Sequence, residues 1–117
     1  MSITIDGTGL AGSPGLLRIA VELYAVNDRA ALTLIETATG DLYETITCNV
    51  PGELLADDEV VICLSNLPMS TVAAMLASDC FQPMRTLAVG NGRGAVWRIT
   101  SPLLLQAVHD ARAAEPA

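Results

Sequence analysis

Between Leu16 and Val50, apolar and polar side chains change places at every second residue, in three blocks separated by short polar interruptions. The first block, "LLRIAVELYA", sets Leu17, Ile19, Val21 and Leu23 on one side of an extended chain. Arg18, Ala20, Glu22 and Tyr24 fall on the other, because successive side chains of a strand point to opposite faces. "ALTLIET" resumes the alternation with Leu32 and Leu34. "LYETITCNV" places Leu42, Ile46, Cys48 and Val50 on one face, with Tyr43, Thr45 and Thr47 opposite. "VNDR" (26–29) and "ATGD" (38–41) supply the residues that tolerate left-handed backbone, and Pro51 with Gly52 ends the third strand. Three strands joined by short turns predict an antiparallel meander. A short strand over Ile3–Ile5 precedes it, and "GTGLAGSPG" (7–15), with four glycines and a proline, is expected to be a flexible loop.

Beyond the acidic loop "GELLADDE", the run "VVICL" is apolar without alternation, the pattern of a central strand covered on both faces. The period then changes. In "SNLPMSTVAAMLASDCF", Val72, Met75, Leu76 and Cys80 recur at helical spacing, which predicts a helix over 67–79 with Ser65 or Asn66 as cap and Pro68 in its first turn. "LAVGNGRGAVWRI" (87–99) carries three glycines and two arginines and invites comparison with a phosphate-binding loop. Such a loop opens a helix, whereas here β-branched and aromatic residues follow. Asn91-Gly92 instead predicts a tight hairpin between "RTLAV" and "AVWRIT". The closing "SPLLLQAVHDARA" has Ser101 as cap, Pro102 at the first helical position and a Leu104, Leu105, Val108, Ala111 stripe. The expectation is an α+β fold: one twisted antiparallel sheet of five or six strands, meander plus hairpin, with one helix on a face and a C-terminal helix. It forms a single domain over 1–117, frayed over 114–117.

Composition narrows the chemistry. The 117 residues are 51% hydrophobic, yet Phe81, Trp97, Tyr24 and Tyr43 are the whole aromatic complement, so the core must be aliphatic. No run approaches the length of a membrane span, and the first ten residues lack the basic start and apolar block of a secretory signal. Cys48, Cys63 and Cys80 form no C-x-x-C pair and lie in apolar patterns, as reduced core thiols of a cytoplasmic protein would. With His109 remote from them in sequence, no metal set or cofactor is expected. The net charge is −7, and residues 1–59 hold ten of the thirteen acids against Arg18 and Arg29 alone. That balance argues against nucleic-acid binding, which needs basic side chains to neutralise phosphates.

The run "LYETITCNVP" and the "SNLP" entry to the helix resemble a small uncharacterised bacterial domain family found on plasmids, conjugative elements and phages. The resemblance covers about half of the chain and implies a small cytoplasmic protein of the mobile genome, with no catalytic residues carried over.

Two surfaces stand out as candidate interfaces. One is the acidic run Asp57, Asp58 and Glu59, suited to a basic protein partner through complementary charge. The other is the hairpin with Arg85, Arg93 and Arg98 around Trp97, residue types favoured at binding hot spots. The expected function is non-enzymatic: contact with a protein partner, as in an anti-CRISPR or anti-restriction modulator of a host system. The alternative is a homo-oligomeric accessory protein, and a small enzyme using Cys48, Cys80 or His109 is the minority reading.

Overall fold

The computed structural model describes residues 3–114 and is α+β, as the alternation predicts. Its strands are β1 (Thr4–Asp6), β2 (Leu16–Leu23), β3 (Ala30–Glu36), β4 (Leu42–Thr45), β5 (Glu59–Ile62), β6 (Phe81–Val89) and β7 (Gly92–Ile99). The helices are α1 (Met69–Ala77) and α2 (Pro102–Ala113), with a 3-10 turn at Leu64–Asn66. Every pairing is antiparallel.

The strands divide between two sheets rather than forming one. β1-β2-β3-β4 is the meander, and β5-β7-β6 is the second sheet with the hairpin in it. Residues 46–48 join them. The Ile46 amide donates to the Leu32 carbonyl of β3 (3.1 Å), while the Ile46 carbonyl accepts from Cys63 (3.1 Å) and the Cys48 amide donates to Val61 (3.0 Å). Thr47 faces Ile62 as an isolated antiparallel bridge. β5 is therefore flanked by β7 on one edge and by this crossing segment on the other. Val60, Val61 and Ile62 are all buried, so both faces of this central strand are covered.

The core lies between the sheets and the helices. Leu17, Ile19, Leu32 and Leu34 of the meander meet Val60, Ile62, Trp97 and Ile99 of the second sheet, with Met75 of α1 and Leu104 and Val108 of α2. Burying an aliphatic side chain of this size contributes about 1.5–3 kcal/mol, so the aliphatic core supplies the stability that aromatic residues would otherwise bring. Phe81 and Trp97 tilt against each other at a centroid distance of 5.5 Å.

Several local expectations shift. The third strand stops at Thr45, and a register slip opposite Leu34 and Ile35 turns Leu42 outward. A bulge breaks the two-residue period, so the alternation read across it fails. The 67–79 helix begins only at Met69, and neither Ser65 nor Asn66 caps it. Pro68 holds Leu67 extended (φ −113°, ψ 135°), which separates the 3-10 turn from α1. The hairpin turn sits one residue earlier than Asn91-Gly92: Val89 pairs with Gly92, and Gly90 takes the left-handed φ of +57°. α2 follows its sequence signals closely, with the Ser101 hydroxyl accepting from the Leu104 amide (3.3 Å). The 7–15 loop is tied down by Gly7 to Gly15 (2.7 Å) and by Tyr43 Oη donating to the Ala11 carbonyl (2.8 Å), and its Leu10 is buried. Of the 114–117 tail, Ala114 is the cap of α2, and 115–117 lie outside the described residues.

Candidate functional site: an apolar groove beside α1

α1, "MSTVAAMLA", carries no charged residue, and its apolar positions spread over more than one face. Only Thr71 and Met75 are buried among its residues. Met69, Val72, Ala73 and Leu76 look the other way, toward the 3-10 turn and the start of β7. Met69 is 88% exposed and Leu76 36%. With Leu64, Leu67, Ser65 and Arg93 they line an open groove of roughly 570 Å³, within the usual range of about 300–1,000 Å³ for ligand sites. A helix apolar on most of its circumference needs cover on two sides. Here the protein's own core covers one.

Arg93 is the charged residue of the groove lining. Its position is fixed through the backbone: the Arg93 amide donates to Ser65 Oγ at 2.6 Å. Ser65, expected as a helix cap, thus fastens the 3-10 turn to β7 instead. Gly92 is required beside it, since a Cβ there would lie 2.7 Å from Ser65 Oγ. The Arg93 guanidinium enters no ion pair among the described residues.

The other sequence-predicted interface residues meet elsewhere, and they meet one another. Facing pairs Glu59–Arg98 and Arg85–Val96 put Glu59, Arg85 and Arg98 on the same side of the second sheet. Arg85 lies 4.0 Å from Glu59 and 3.9 Å from Glu53, and it donates to the Leu54 carbonyl at 2.8 Å. Arg98 lies 3.8 Å from Asp58. The acidic run and the arginine hairpin, read as separate surfaces, are two halves of one partly self-neutralised patch. Exposed pairs of this kind contribute about 0.2–1 kcal/mol each, so they position the 53–59 loop more than they stabilise the fold. Asp57 is exposed, and its carbonyl accepts from Arg112 Nη1 at 3.1 Å.

Trp97 is buried and belongs to the core, as strand alternation with Ile99 indicates. His109 is exposed on α2. Cys80 is buried, whereas Cys48 and Cys63 are half-buried and neighbours across the sheet junction. Leu76, expected on the buried face of the helix with Met75, instead lines the groove, Leu64 lies beyond the end of β5, and Met69 carried no expectation. The available signal was the absence of any charge from "LPMSTVAAMLA", which a helix with a single buried face does not need. No described helix is long and apolar enough to cross a membrane. No family model, curated protein or solved structure matches the chain.

Proposed function

We propose that this protein is a non-enzymatic interaction module and that the groove beside α1 is its contact surface. Its occupant is an apolar segment of a partner protein whose aliphatic side chains reach Leu64, Val72 and Leu76 and whose carboxylate meets Arg93. The observation that carries this reading is an apolar trough lined by an arginine with no ion pair among the described residues, in a protein whose other hairpin arginines already have acidic neighbours. The acidic run is the weaker candidate for the contact, because Asp58 and Glu59 already face Arg98 and Arg85. The resemblance to mobile-element proteins adds a host-system component as the expected partner.

Peptide display against the folded protein tests the proposal. The selected sequences should share two aliphatic residues and one Asp or Glu. Leu76→Glu should weaken them at least about tenfold, since withdrawing one aliphatic side chain from an apolar contact costs about 1.5–3 kcal/mol. Arg93→Glu should weaken the carboxylate-bearing peptides selectively. Charge reversal of Asp57, Asp58 and Glu59 should leave affinity unchanged. Peptides that bind Leu76→Glu as well as the parent, with Trp97 fluorescence unaltered, would refute the groove.

A second reading, self-association, is favoured by β6. This nine-residue strand lies at a sheet edge with Gln82, Met84 and Thr86 exposed. Unpaired edges template pairing with another chain. Light scattering during size exclusion separates the readings: a monomer at micromolar concentration removes the second and leaves the first.

A further inference from the structure

Cys48 and Cys63 are separated by fourteen residues and belong to no recognisable motif, yet the crossing between the sheets brings them together. Thr47 and Ile62 face each other, and each cysteine is the next residue along the chain. The flanking bonds, Cys48 amide to Val61 carbonyl and Cys63 amide to Ile46 carbonyl, place Cys48 opposite Val61 and Cys63 opposite Ile46. The two cysteines therefore stand on the same side of the pair, one diagonal apart, within reach of each other's side chains. The Cys63 thiol is close enough to act on the Cys48 thiol.

We infer that Cys48 and Cys63 form a dithiol site that closes to an intramolecular disulfide by exchange with a small-molecule disulfide such as oxidised glutathione. In the first step one cysteine, as thiolate, attacks a sulfur of the reagent. A mixed disulfide forms, the reagent's S–S bond breaks, and one small thiol leaves carrying a proton. The second cysteine then attacks the protein sulfur of the mixed disulfide and expels the second small thiol. Two protein thiols are oxidised, the reagent disulfide is reduced to two thiols, and no further oxidant is needed.

Three structural features support the site. Both cysteines are half-buried, so a small reagent reaches them, whereas Cys80 is buried with its thiol turned to the Ser78 carbonyl. Both also lie outside the regular strands. β4 ends at Thr45, and Cys63, with φ −80° and ψ 76°, turns the chain into the 3-10 turn. Disulfide geometry demands a closer approach than a diagonal pair provides, and neither cysteine is locked into a regular strand on both sides for that approach. Finally, burial and the Cys63 thiol push the Cys48 thiol up to about 12, which leaves little thiolate at neutral pH and makes closure faster in alkali.

The folded wild-type chain is incubated with oxidised glutathione at neutral and at mildly alkaline pH, then analysed by intact mass and by peptide mapping without reduction. The expected product has lost two hydrogens, carries a Cys48–Cys63 link with Cys80 free, and accumulates faster at the higher pH. Cys80→Ser gives the same product, and Cys48→Ser stops at the glutathione adduct on Cys63. A stable glutathione adduct on the wild-type chain without the link, a link through Cys80, or full retention of both free thiols would each overturn the inference.

Discussion

Thr47→Val removes one hydroxyl and keeps the shape of the side chain, and its effect follows from how the two sheets are joined. In an unbroken ladder the Leu32 amide would donate to the Ile46 carbonyl. That carbonyl is taken by Cys63 of the second sheet, and Thr47 Oγ1 accepts from Leu32 instead, at 3.0 Å. The same hydroxyl pairs with Tyr24 Oη at 2.9 Å. Thr47 is buried, so in the valine variant the Leu32 amide has neither protein nor water as acceptor, a loss of about 1–3 kcal/mol. The half-buried Tyr24 hydroxyl turns to solvent, adding roughly 0.5 kcal/mol, and the new methyl returns at most about 0.8 kcal/mol. The net destabilisation is about 2 kcal/mol, roughly 8 °C in Tm for a domain of this size. Urea unfolding followed by the buried Trp97 measures it, with the slope unchanged if the denatured state is unaffected. Thr47→Ser, which loses a methyl but keeps the acceptor, should cost only about 0.8 kcal/mol. If valine is tolerated as well as serine, the hydroxyl is not the splice between the sheets.

Three further outcomes are expected. Leu104→Ala, at a fully buried position of α2, should cost about 2–5 kcal/mol in the same unfolding assay, while Leu103→Ala, half-exposed on the adjacent position, should stay within about 0.5 kcal/mol. Gly94→Ala should destabilise by about 1–3 kcal/mol, because the added Cβ meets Val89 Cγ2 at 2.7 Å and the Ile62 carbonyl at 3.2 Å, whereas Gly9→Ala meets nothing within 4 Å. Stability should fall as pH rises from 9 toward 12, since burial raises the Cys48 thiol from 9.0 to about 12 and raises the Tyr24 phenol above 10.0. The unfolded chain loses these protons first, so alkali favours it. Cys48→Ser should flatten the pH dependence of the unfolding midpoint.

Much of this molecule is legible residue by residue. The β2 and β3 strands of the meander, the left-handed Asp28 and Gly40 turns and the Ser101-Pro102 start of α2 all follow from preferences that act within a few positions. These are covalent geometry and local hydrogen bonding, and they operate whatever the rest of the chain does. The alternation of β2 likewise shows that Leu17 and Ile19 share a face, but no periodicity says what that face meets. The division into two sheets is set where the Ile46 carbonyl leaves β3 for Cys63, a choice between two distant partners that the letters "ETITC" do not record. The same non-local choice brings Arg85 to Glu59, lays Cys48 beside Cys63 and leaves Leu76 uncovered while Met75 is buried. Each depends on which surfaces bury the most apolar area when the whole chain packs, a sum over many distant contacts.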